Sequence, residues 1–79
     1  MRRYSIGEVC ELLDTRAHTL RYWEQELPLI RPRKDESGRR VYRESDVQQL
    51  FRLKYLMDHR GMTLRGAGQR LVEDARSGA

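Results

Sequence analysis

Pro28 and Pro32 forbid an unbroken helix through the middle of this chain. Proline fixes φ, lacks the N–H a helix interior needs, and pushes the residue before it toward extended backbone. The sequence therefore divides into a helical opening, an extended middle and a helical remainder. Just before the break lies Thr19–Gln25, TLRYWEQ, an arginine set beside two aromatics. Just after it, Leu29-Ile30-Arg31 and Arg39-Arg40-Val41-Tyr42 read as two short strands. Lys34-Asp35-Glu36-Ser37-Gly38 is the turn cluster between them, with Gly38 able to take positive φ.

The helical parts carry their own punctuation. Ser5-Ile6-Gly7-Glu8 reads as a capping box opening an apolar-periodic run, with Ile6, Val9, Cys10 and Leu13 on one face. Asp14-Thr15 interrupts that run, and Asp14 stands where a tight turn wants a residue tolerating positive φ. A second helix is expected over about Arg16–Gln25, capped by Thr15 or Asp14, with Ala17, Leu20 and Trp23 or Glu24 inward. Beyond the hairpin, a longer helix is expected over Glu44–Arg60 with Val47, Leu50, Leu53 or Lys54 and Met57 at helical spacing, widened by Phe51 and Leu56. Gly61 is its C-cap, and Thr63 caps a last helix carrying Leu64, Ala67, Leu71 and Val72. Gly66 and Gly68 weaken that helix by roughly 1 kcal/mol each relative to alanine, so it depends on packing.

The expected architecture is mainly α with a small β-hairpin: four helices, and a wing between helix 2 and helix 3. Two short helices joined by a tight turn give the helix-turn-helix layout. Residues 1–74 form one domain, and 75–79 a frayed polar tail.

Charge placement narrows the function. The 79-residue chain nets +4, from 16 basic and 12 acidic residues. Between Arg31 and Arg43 six bases face two acids, so this stretch holds the whole net charge. Only Lys34 and Lys54 are lysines, and arginine suits forked contacts to phosphate or guanine. A short helix that can lie in a groove, beside a basic hairpin that can grip a backbone, points to double-stranded DNA.

Other chemistry is expected to be absent. Cys10 is a lone cysteine on an apolar face, and His18 and His59 fall on different elements, so neither metal nor cofactor is implied. No nucleophile–base pair or glycine-rich phosphate loop is present, which argues against an enzyme. The start, MRRYSIGEV, lacks an apolar run and no stretch is long enough to span a membrane, so a soluble cytoplasmic, nucleoid-associated domain is expected.

Four strings occur in order: YSIGEV, TLRYWEQ, GRRVYRESDV and RGMTLRGA. In these the chain resembles the DNA-binding domain of the MerR family of bacterial transcription regulators, over roughly Tyr4–Val72. The resemblance implies a winged helix-turn-helix whose second helix enters the major groove. The hairpin and the turn between helices 3 and 4 then serve as wings on flanking backbone. It also implies a homodimer on a near-palindromic promoter with an over-long spacer, distorted so that RNA polymerase engages it, or held otherwise to repress. Polymerase is thus an indirect partner. Family members normally continue into a long fifth helix that pairs with its partner. This chain stops before one, so on its own it is expected to be a monomer and a weak binder. Trp23 stands where many members have tyrosine, and the RYWE form is closer to the short or cobalamin-type subgroup than to the metal sensors.

On the second helix, Arg21 and Tyr22 match the family's DNA-contacting pair, and Arg16, His18 and Thr19 sit at its groove-facing end. Trp23 is read as core. On the wing, Arg40 and Tyr42 match an Arg-x-Tyr pattern and are expected as contact points, supported by Lys34 and Arg39. Arg60 and Thr63 flank the second wing, where helix 4 can receive a phosphate at its N-terminus. Two other readings fit the same residues. One is an excisionase-like or architectural DNA-binding factor. The other is a protein-interaction adaptor docking a partner helix on Phe51, Tyr55, Leu56 and Met57.

Overall fold

A computed structural model describes residues 2–77. The chain begins with strand β1 (Arg3–Ser5) and runs directly into helix α1 (Ile6–Leu13). The capping box forms as the sequence implies. The Ser5 hydroxyl accepts from the Glu8 N–H at 3.1 Å, and the Glu8 carboxylate accepts from the Ser5 N–H at 2.9 Å. That backbone hydrogen bond is the main reason the Glu8 carboxyl titrates below its usual range.

At the other end of α1, Asp14 adopts φ 50°, ψ 51°, the left-handed conformation that lets the chain reverse. The Thr15 N–H then donates to the Cys10 carbonyl at 3.0 Å. Helix α2 (Ala17–Glu26) follows. Its N-cap is Arg16, with no side-chain hydrogen bond, so neither Asp14 nor Thr15 serves as the cap. The reason is local: the Thr15 hydroxyl turns back to donate to the Leu13 carbonyl at 2.9 Å. The Lys54 ammonium donates to the same carbonyl from across the core.

The segment Leu29-Ile30-Arg31 is not a strand. Leu27 leaves α2 in extended conformation, and the Ile30 N–H donates back to the Leu27 carbonyl at 3.1 Å, closing a turn. Ile30 is 1% exposed, so burial draws it into the core, and Pro32 has no N–H for a ladder. Strand β2 is therefore only Arg33–Lys34, paired antiparallel with β3 (Arg40–Arg43). Strand β1 lines the other edge of β3, with Tyr4 opposite Tyr42, to make a three-stranded sheet in the order β1-β3-β2. The expected hairpin thus exists with a shorter first strand, and a third strand completes it.

Helix α3 (Glu44–Asp58) starts where the Asp46 carboxylate accepts from the Arg43 N–H at 2.9 Å. It ends two residues before the expected Arg60, and Gly61 takes φ 67° in the turn that follows. Helix α4 (Leu64–Ser77) begins at the Thr63 cap, whose hydroxyl accepts from the Gly66 N–H at 3.1 Å. It remains helical through Ser77, so the tail expected to fray from Ala75 continues the helix. Gly78 and Ala79 lie outside the described residues.

Each helix lends side chains to one core: Val9 and Leu13 from α1, Leu20 and Trp23 from α2, Leu50 and Leu53 from α3, Ala67 and Leu71 from α4. Ile30 and Tyr42 join them from the middle of the chain. Gly68 is required there, because a Cβ at that position would stand 2.4 Å from the Leu27 Cδ2 atom, itself buried. Among the four apolar residues considered for a partner helix, Leu56 is buried and Met57 packs on the core, while Phe51 and Tyr55 are exposed. No helix is long and apolar enough to cross a membrane.

Candidate nucleic-acid interface

Helix α2 has two unlike faces. Leu20 and Trp23 fix it to the core, which settles Trp23 as a packing residue. Arg16, His18, Arg21 and Tyr22 are exposed, and Thr19 is half-buried. Tyr22 keeps 54% of its surface open, so its phenol is displayed rather than packed. The uncapped first turn leaves N–H groups of the helix pointing outward beside Arg16 and His18.

The wing is built around one acid. The Asp35 carboxylate accepts from the N–H groups of Ser37 and Arg39, both at 2.9 Å, and the Asp35 N–H donates to the Arg39 carbonyl at 2.9 Å. Gly38, at φ 83°, completes the reversal. Asp35 is thus occupied with backbone, and among the described residues no acidic side chain forms an ion pair with Arg33, Lys34 or Arg39. These three cations are exposed along the wing.

A groove separates the wing from α2. It is lined by Arg21, Glu24 and Gln25 on the helix and by Arg31, Lys34 and Arg40 on the other side. At its floor, Arg40 donates to one oxygen of the Glu24 carboxylate and the Tyr42 hydroxyl donates to the other. The Glu24 side chain is 6% exposed, and that of Arg40 33%. The cysteine of α1 lies nearby: burial pushes the Cys10 thiol up, Arg21 draws it down and Glu24 adds to the rise.

Tyr42 is therefore not a contact point. It is fully buried, and its phenol titrates far above its usual value, first because it is desolvated and then because Glu24 accepts its proton. Strand β3 is flanked on both edges, so the alternation that turns Arg43 outward turns Tyr42 inward. Arg40 is also not a freely extended wing residue, since one edge of its guanidinium is held by Glu24. The sequence placed Trp23 or Glu24 on the inward side of α2. Both are there, but that Glu24 ties the helix to the sheet was missed, because its partners are sixteen and eighteen residues away.

Arg60 and Thr63 lie exposed in the turn between α3 and α4, away from the groove residues named above. Thr63 is committed to capping α4 through Gly66. Among the described residues, no group of three or more His, Cys, Asp or Glu side chains is arranged to hold a metal ion.

A helix-turn-helix followed by a β-hairpin defines a winged helix-turn-helix. The family model described as "MerR HTH family regulatory protein" matches residues 4–73. The chain belongs to that family. It is 41% identical over 64 residues to the uncharacterized HTH-type transcriptional regulator YyaN of Bacillus subtilis, a match covering 81% of this chain and 46% of that protein. It is 32% identical over 59 residues to the HTH-type transcriptional regulator MlrA of Escherichia coli, covering 75% of this chain but 24% of MlrA. The chain thus spans half or less of these relatives. Among solved structures it is similar to HiNmlR, a MerR family regulator lacking the sensor domain, bound to promoter DNA. That match has a TM-score of 0.79 and 29% identity, over 99% of this chain and 58% of that one. A MerR family regulator from Bacillus cereus matches with a TM-score of 0.70 and 25% identity, over 90% and 52%.

Proposed function

We propose that this chain is the sequence-specific, double-stranded DNA-reading domain of a bacterial transcription regulator, with no enzymatic activity, working in the cytoplasm on the nucleoid. In this reading α2 enters the major groove. Arg16, His18 and Arg21 face base edges there, and Tyr22 gives its hydroxyl to phosphate. Lys34, Arg39 and Arg33 of the wing grip the adjacent backbone, and Arg60 and Thr63 form a second, smaller contact. Dimerised through a longer chain, two such domains hold and distort a near-palindromic promoter, and RNA polymerase responds to the altered DNA rather than to a direct contact. Alone, the domain is a monomer with modest affinity, since a single half-site offers few contacts.

The observation that carries this reading is the groove lined by cations from two separate elements: Arg21 from α2, and Arg31, Lys34 and Arg40 from the segment around the wing. A solvated charged loop gives no reason for arginines on a helix and on a hairpin to converge on one channel. The relative HiNmlR, bound to promoter DNA, supports the same reading. Selection from a random duplex pool tests it. The expected result is enrichment of one short half-site and binding that weakens steeply with salt as counterions are released. Absence of any enriched sequence together with no duplex shifted at low salt would overturn it.

A further inference from the structure

Glu24 is the one acidic side chain in the lining of a channel whose charged residues are otherwise Arg21, Arg31, Lys34 and Arg40, with Gln25, Ile30 and Pro32 between them. If that channel receives a DNA backbone, the charge of Glu24 opposes it. A negative group in such a place weakens binding unless its contacts contribute something that outweighs the repulsion. Its contacts indicate what. It comes from α2, the helix proposed to read bases, and both its partners come from β3, the strand that carries the wing. No other side-chain hydrogen bond among the described residues joins those two elements. A planar guanidinium carries five N–H donors, and Glu24 receives one from Arg40, so donors remain for a second acceptor. The third of Arg40 that remains exposed faces the groove.

We propose that Glu24 is a positioning residue. It locks the angle between the reading helix and the wing, and it holds the Arg40 guanidinium so that its remaining donors meet a phosphate. This rests on the DNA reading above. Glu24 touches no DNA itself, because it is buried beneath Arg40. Fixing a long arginine before binding removes an ordering cost that would otherwise be charged against affinity.

The test is a double-mutant cycle on the selected duplex, with Kd measured across a salt series. Glu24→Ala in the wild-type background is expected to weaken binding at least about threefold, the scale of ordering one rotamer-rich side chain. It is also expected to flatten the log Kd against log salt slope by about 1, one lost phosphate contact. Arg40→Ala should do the same. In the Arg40→Ala background, Glu24→Ala should be neutral or should tighten binding, since only the repulsion is then removed. Glu24→Gln keeps an oxygen for the Tyr42 hydroxyl and stands in if the alanine variant fails to fold; it should show the same reversal of sign between backgrounds. Two results overturn the proposal. Tighter binding of Glu24→Gln in the wild-type background would mean that the carboxylate merely competes with phosphate. Equal weakening in both backgrounds would mean a general structural role. Failure of the wild-type chain to prefer any duplex would instead sink the DNA reading itself.

Discussion

Tyr42 shows how far one residue's role depends on its neighbours. By pattern it belongs with Arg40 as an exposed wing contact, yet it is a core residue whose hydroxyl satisfies half of a buried carboxylate. A strand of four residues alternates its faces too few times to say which face is inward. The deciding partner, Glu24, sits on another element. Asp14 is the opposite case: its left-handed backbone is a local need of the helix-turn-helix and was legible from its place after an apolar run. The corrected role of Tyr42 has a measurable consequence. Tyr42→Phe is expected to lower unfolding free energy by about 2 kcal/mol, the scale of a hydrogen bond to a charged group. The urea midpoint should fall with the m-value unchanged, and the salt slope of DNA binding should not move. Unaltered stability with a flatter salt slope would restore Tyr42 as a phosphate contact.

Among the elements, those with strong local signals were readable and those made by distant pairing were not. Helix α1 announces its start in Ser5 and Glu8, and α4 in Thr63. Strand β1 has three residues in a charged N-terminal stretch and exists because β3 offers it an edge some forty positions later, which no local pattern reports. The segment Leu29–Arg31 reads as a short strand, but Ile30 is a plug in the core and Pro32 breaks any ladder there. The start of α1 also predicts a pH dependence. The folded-state pKa of Glu8 lies below its ordinary value of 4.5. Its stabilising contribution is therefore complete above the unfolded pKa and disappears as pH falls through the folded one. Glu8→Gln keeps an acceptor for the Ser5 N–H at every pH. Urea titrations at pH 6 and pH 3 should show the wild type losing more stability over that interval than Glu8→Gln. Equal losses would mean that the capping carboxylate does not sense acid.

At the scale of the molecule, a single core clamps helix α2 and the wing to each other. Trp23 and Leu20 anchor α2, Tyr42 and Ile30 anchor the wing, and Gly68 allows α4 to close against Leu27. The family and the winged helix-turn-helix were legible in four short strings spread along the chain. The tie between helix and wing was not, because it depends on the tertiary meeting of residues from two of those strings. The chain spans half or less of the relatives described above. The proposed function assigns sequence reading to α2. It is tested most directly by the ratio of affinities for the selected duplex and for a random duplex of equal length, at one salt concentration, in wild type and Arg21→Ala. Loss of a bidentate arginine–guanine contact is worth about 1–3 kcal/mol, so the ratio is expected to fall about tenfold or more while random-duplex affinity changes little. An unchanged ratio, with both affinities reduced alike, would contradict the claim and leave Arg21 as one more phosphate contact.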